Sequence, residues 1–210
     1  MIVNIRDLEC VPTAVDYFQR GKIVVYPTDT CYGLGSIALK WNDQNILKIY
    51  RIKGRSINKP LSLLISEEMV NKYLEIPDNI KSLLSEVWPG SFTGIFLKKT
   101  PKNELSSFLN INNIQTIAFR VPDHKTLLNI INKVGNPIIG TSANISGDTP
   151  AYNIDNLINE DRFKEVELWI NEGTLPLNPP STVVDFTDYS NPIILREGKI
   201  NFKLLWKETL

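Results

Sequence analysis

Two periods organise the apolar positions of this chain. A three-to-four spacing over residues 11–20 predicts a short helix closed at Gly21. The spacing returns after Asp43, which is placed to cap a helix running to about Lys53 with Ile46, Leu47, Ile49 and Tyr50 as its apolar stripe. Ser66 and Asp78 read as caps of two successive helices, the second stopped by Trp88, Pro89 and Gly90. Asp123 begins another, with Leu127, Leu128, Ile130 and Ile131 as its buried face and Gly135 as its stop, and a last helix is predicted over residues 202–207. Between these lie short β-branched or aromatic runs that read as strands: residues 23–26, 61–65, 92–97, 116–119, 137–139, 166–170, 182–186 and 193–195.

Strands and helices alternate without a repeat of fixed period, which predicts an α/β fold built on a twisted, mixed β-sheet flanked by helices. Asn178-Pro179-Pro180 and the Asn/Asp-rich stretch 154–161 read as surface connections, so residues 1–210 are expected to form one domain. A domain of this length buries roughly 70% of its unfolded surface, enough for one sizeable core.

Composition narrows the function classes. With 42% hydrophobic and 22% charged residues the chain sits within the globular range. Lys+Arg and Asp+Glu both number 23, which excludes a global basic field for nucleic acid and leaves only a local basic pocket. The two cysteines, Cys10 and Cys31, are far apart and have a single histidine, His124, beside them, a poor set for a four-ligand zinc site. The first residues carry no basic-then-apolar leader, and no stretch approaches the roughly 20 apolar residues of a membrane span. The expected location is cytoplasmic.

Four polar segments fall where a predicted strand or helix ends, the usual place for ligands in open α/β sheets: PTDT (27–30), KGR (53–55), TSAN (141–144) and PST (180–182). Lys53 and Arg55 flank Gly54 in what reads as an exposed loop; they suit a phosphate or carboxylate, or else form a solvated basic turn. Ser142 and Asn144 suit an anion-holding nest or an ordinary turn, and Thr28 and Thr30 an amino-acid contact or a cap after Pro27. Arg120 ends a strand just before Pro122, where an anionic substrate group and an ion pair with Asp123 compete for it. Arg196, after the apolar run PIIL, is equally open, and His124 reads as a first-turn helix residue.

GLGSIA (33–38) matches a dinucleotide-binding fingerprint, but that fingerprint follows its strand directly and opens a helix. Here residues 27–32 intervene and SIALKW reads as extended, so nicotinamide binding is not expected; a P-loop motif is absent as well.

Taken in order, KIVVYPTDTCYGLG, KGR followed by KPL, WPG, FRVPDH, PIIGTSANISG, STVVDF and ILREG resemble the YrdC-like threonylcarbamoyl-AMP synthase family over about residues 8–200. The resemblance implies a YrdC-like fold with a concave, locally basic cavity that binds ATP and L-threonine side by side, with bicarbonate as the third substrate and Mg2+ accompanying ATP. By similarity Lys53 and Arg55 are the catalytic pair, and with Ser142, Asn144 and Arg196 they hold ATP. Thr28, Thr116, Arg120 and Ser181 hold threonine. The implied product is L-threonylcarbamoyl-AMP, passed to a threonylcarbamoyl transferase that modifies tRNA. Ser56 replaces a frequent proline and Leu64 stands where some members carry histidine. The chain ends soon after ILREG, which suggests the short form without an additional C-terminal domain; the module of the hydrogenase-maturation carbamoyltransferases needs further domains, zinc-binding ones included. The alternative function is that of a paralogue acting in translation or binding RNA, double-stranded RNA or tRNA, at the rim of the cavity.

Overall fold

The computed structural model describes residues 1–98, 105–109 and 116–209. Its strands divide between two mixed sheets, where the sequence suggested one. The first runs in the order β1 (Ile2–Asn4), β9 (Leu168–Asn171), β2 (Val24–Pro27), β3 (Tyr32–Gly35), β8 (Thr141–Ser142). The second runs β11 (Ile193–Arg196), β10 (Thr182–Asp185), β5 (Phe92–Leu97), β6 (Thr116–Arg120), β4 (Leu63–Leu64), β7 (Ile138–Ile139). β9 is parallel to both β1 and β2, which explains why Leu168, Trp169 and Ile170 are buried on both faces. β5 pairs antiparallel with β6 and parallel with β10.

Seven helices cover the sheets: α1 (Cys10–Gln19), α2 (Asp43–Lys53), α3 (Val70–Tyr73), α4 (Asp78–Val87), α5 (Lys125–Val134), α6 (Asp155–Ile158) and α7 (Phe202–Thr209) among the described residues. α5 buries Leu127, Ile130, Ile131 and Val134, while Leu128 lies at the edge of the stripe, half-buried. Its cap is His124 and not Asp123: the Nδ1 atom of His124 accepts the Leu127 amide at 3.2 Å, and Gly135 ends the helix at φ +71°. Under the second sheet Phe96 stacks on Phe186 with ring centroids 5.4 Å apart, and Gly94 leaves them the space, since a Cβ there would lie 2.4 Å from the Phe96 ring.

Three strands were not anticipated, and one of them, β8, lies in the TSAN segment read as a turn. β1 is three residues with only Val3 buried, too short to display a period. β3 is written YGLG, and its glycines hide the alternation; Gly33 is required because a Cβ would meet the Tyr26 ring at 2.6 Å. The fingerprint-like GLGSIA therefore opens in a strand antiparallel to β2 and not in a helix.

The sheets meet at one corner. The chain leaves β7 and enters β8 across the single residue Gly140, the Ile139 amide donates to Ser36 O at 2.9 Å, and the Tyr26 hydroxyl donates to Ile139 O. This corner brings the ends of β2, α2, β6 and β8 together.

Candidate active site

β2 ends at Pro27, and the next residues fold into a turn around one hydroxyl. Thr28 Oγ1 accepts the amides of Thr30 and Cys31 and donates to Cys31 O at 2.7 Å. The turn is thereby rigid, and it presents Asp29 and Thr30 to Arg120 at the end of β6. Arg120 donates from Nη2 to Asp29 Oδ1 at 2.6 Å, from Nη1 to Thr30 Oγ1 at 3.1 Å and from Nε to Gly90 O at 3.0 Å. Its ion-pair partner is thus Asp29, 91 residues earlier, and not its sequence neighbour Asp123, which is exposed. Asp29 is held in turn by Ser91 Oγ on its second carboxylate oxygen, at 2.9 Å, and by Asn178 on its carbonyl.

Lys53 overturns the expectation of an exposed loop. It is the last residue of α2 and continues the Ile46, Ile49, Tyr50 stripe at helical spacing, so the stripe carries it inward; only 2% of it is exposed. Gly54, at φ +57°, then turns the chain out. The Lys53 ammonium donates to Ser142 O, Asn144 O and Asn144 Oδ1, the last two at 3.0 and 2.9 Å. Burial, helped by the nearby Arg55 charge, pushes its pKa down to about 8. Arg55 does lie in the following loop, half-buried, with its guanidinium tied to the carbonyls of Lys59 and Pro60.

The TSAN segment begins as β8, paired with β3 through Gly33 and Ser142. Ser142 Oγ donates to Asn144 Oδ1 at 2.7 Å and Asn144 Nδ2 to Asp148 O at 2.6 Å, so the Asn144 amide is oriented from three sides. Across the cleft, Ser181 shares a 2.9 Å hydrogen bond with Thr93 and receives two donations from Arg196, Nη2 to Oγ at 2.8 Å and Nε to the carbonyl at 2.9 Å. Arg196 is exposed and also borders a groove of about 730 Å3 between β11 and α7.

Register explains how these groups share one surface. In β6, Ile117 and Phe119 are buried, while Thr116 and Ala118 are half-open and share a face with Arg120. Pairing carries this face across the sheet, Ala118 beside Ile95 and Ile95 beside Asp185, with Val183 between Thr93 and Arg196. A polar row of Arg120, Thr93, Ser181 and Arg196 therefore adjoins an apolar floor of Ile95, Ala118 and Val183. Thr116 lies on the same face but roughly 13 Å along the strand from Arg120, too far to touch the same small ligand atoms. Leu64, where histidine was noted in some relatives, is buried and pairs with Arg120 in β4.

Cys31 marks the middle. Burial raises its thiol pKa, while the Thr30 hydrogen bond and the charges of Arg120 and Lys53 oppose the rise. The Arg196 pKa is lowered, first because its guanidinium is partly buried against Ser181 although the residue as a whole is exposed, and then by the Arg120 charge. Lys53, Arg120 and Arg196 thus all lie within electrostatic reach of Cys31, and Arg55 within reach of Lys53. Of these four cations only Arg120 pairs with a carboxylate among the described residues. A neutral chain has gathered a positive cleft lined with hydroxyls and one amide, suited to polyanions and to an amino acid. Sequence reasoning missed Asp29, Thr93 and Ser91. Asp29 stood inside the PTDT segment, but nothing local signals a partner 91 positions away.

The sequence model of the Sua5/YciO/YrdC family, described as telomere recombination, matches residues 16–198. The threonylcarbamoyl-AMP synthase of Pyrococcus abyssi is 34% identical over 204 residues, covering 94% of this chain and 57% of its own, so the chain spans little more than half of that relative. The threonylcarbamoyl-AMP synthase of Wigglesworthia glossinidia brevipalpis is 31% identical, covering 92% of this chain and 91% of its own. Among solved structures, P. abyssi Sua5 complexed with L-threonine superposes with a TM-score of 0.85 at 29% identity, over 99% of this chain and 60% of that one. Escherichia coli YciO follows at 0.81 and 25%, over 97% of each.

Proposed function

The chain belongs to the Sua5/YciO/YrdC family, and from that premise we propose that it is an L-threonylcarbamoyladenylate synthase, a nucleotidyltransferase. Threonine amine and bicarbonate condense to a carbamate with loss of water; a carbamate oxygen attacks the α-phosphorus of ATP, pyrophosphate leaves, and L-threonylcarbamoyl-AMP results. The observation that carries the reading is that Lys53, Arg120 and Arg196 all lie within electrostatic reach of Cys31, with Asn144 bonded to Lys53 and Ser181 to Arg196.

The problem for this chemistry is to crowd triphosphate, carboxylate and carbamate together against their mutual repulsion. Arg55 and Arg196 meet the phosphates. Lys53 adds its field and sets the TSAN turn, since its three N–H donors are already engaged; Ser142 and Asn144 then hold the nucleotide. The apolar floor of Ile95, Ala118 and Val183 takes the base, with Thr116 at its far end. On the other side Arg120 pairs with the threonine carboxylate, Ser181 hydrogen-bonds the amino acid, and Thr28, its hydroxyl already committed to Thr30 and Cys31, shapes the turn beside it. Positioning supplies most of the rate, since aligned reactants gain up to roughly 7–11 kcal/mol. Mg2+ enters with ATP: among the described residues no cluster of three or more carboxylate, histidine or cysteine side chains forms a cage for it, so no step is assigned to it.

We place the reaction in the cytoplasm, feeding a transferase that modifies tRNA. No described helix is long and apolar enough to cross a membrane, and both cysteines are free. The test is pyrophosphate release from ATP by the purified chain, expected only with threonine and bicarbonate both present. Release indifferent to threonine overturns the proposal, and tight RNA binding without ATP turnover favours an RNA-binding paralogue instead.

A further inference from the structure

One cleft cation is treated differently from the others. Lys53, Arg55 and Arg196 are tied to carbonyl, amide and hydroxyl oxygens, whereas Arg120 is tied to a carboxylate, and that carboxylate is itself built in. The side chains of Arg120 and Asp29 are 9% and 13% exposed, and Ser91 Oγ and Asn178 Nδ2 fix Asp29 from outside the pair. A guanidinium has five N–H donors. Three of Arg120's go to Gly90 O, Thr30 Oγ1 and Asp29 Oδ1, leaving one on each terminal nitrogen. Two N–H groups of this kind suit the two oxygens of a carboxylate.

We infer that Asp29 is the positioning residue that makes this half of the cleft selective for a zwitterion over a simple anion. The inference rests on the reading above that Arg120 receives the amino-acid carboxylate. Asp29 aims the guanidinium and cancels most of its net charge, so the pair keeps a directional carboxylate site without a strong attraction for phosphate. A zwitterion loses nothing by this cancellation, because its ammonium finds the Asp29 charge within the same field. A triphosphate gains more from Lys53, Arg55 and Arg196, which carry no such compensation. One carboxylate on one arginine thereby sorts two anionic substrates that would otherwise compete for every cation in the cleft.

The test is Asp29→Asn in the full chain, assayed by pyrophosphate release with threonine and ATP varied separately and inorganic phosphate as inhibitor. The KM for threonine is expected to rise at least about tenfold, the scale of neutralising one member of a buried charge pair, with the KM for ATP nearly unmoved. Phosphate is expected not to compete with threonine in the wild type and to become competitive with it in the variant. A threonine KM within about twofold of wild type, or no new competition by phosphate, overturns the inference, since a loss of structure alone would not create a phosphate site. If Asp29→Asn does not fold, Ser91→Ala, which loosens the carboxylate and keeps its charge, is expected to raise the threonine KM by about threefold; an unchanged KM overturns it equally. Calorimetric titration of threonine and of phosphate into wild type and variant reads the same preference without turnover. Wild-type turnover that ignores threonine therefore sinks the synthase reading, while unchanged relative affinities sink the role of Asp29.

Discussion

Replacing Lys53 by methionine removes the ammonium while nearly keeping the side chain's length and apolar stem. Three oxygens lose a donor: Ser142 O, Asn144 O and Asn144 Oδ1, the last of which keeps the Ser142 hydroxyl. Asn144 O is left without a donor while Ser142 O keeps the Asn144 amide at 3.1 Å, so the loss is about 1–3 kcal/mol. Against this, the wild type bears the burial of a charge whose pKa is pushed down to about 8 from 10.5, worth up to about 3 kcal/mol at neutral pH. The two nearly balance at pH 7, where Lys53→Met is expected within about 1 kcal/mol of the wild type. The sign of the pH dependence follows from the depressed value. Between pH 8 and the ordinary lysine range the unfolded chain binds more protons than the folded one, so wild-type stability rises with pH through that window and the gap to Lys53→Met widens. Urea titrations of both proteins at pH 7, 8, 9 and 10 measure it. Midpoints that show no divergence above pH 8 would refute the buried-strut account and return Lys53 to a mobile loop.

Two further outcomes test other parts of the site and fold. Arg196→Ala removes two donations to Ser181 from an exposed side chain, so it is expected to cost only about 1 kcal/mol of stability yet raise the KM for ATP by about tenfold; an unaltered ATP KM in steady-state assays removes Arg196 from the nucleotide site. Gly35→Ala places a Cβ 2.0 Å from the Ile139 carbonyl, a backbone atom at the corner joining the sheets. It is expected to destabilise by about 3 kcal/mol or more, whereas Gly135→Ala, with open space but φ +71°, is expected to cost only about 1–2 kcal/mol; equal urea midpoints for the two variants would show that the corner is not tightly closed.

The sequence by itself determined the elements whose residues bury in a regular pattern. The α5 stripe, the continuous apolar run of β2 and the strands around Phe92 and Val184 are legible because burial repeats with the backbone's own period. Ordered segments also disclosed the family, since each polar segment sits at an element's end. Tertiary structure alone decided what depends on distant pairing. It split the strands into two sheets, made β3 from a glycine-interrupted stretch that only the Tyr26 ring explains, and buried Lys53 at the end of a stripe that reads locally as running into a basic loop. It also gave Arg120 to Asp29 rather than to Asp123. Local spacing carries no information about which carboxylate a strand-end arginine will meet; that is set by where the sheets join, and there the chain brings residues 29, 53, 120, 142 and 196 to a single cleft.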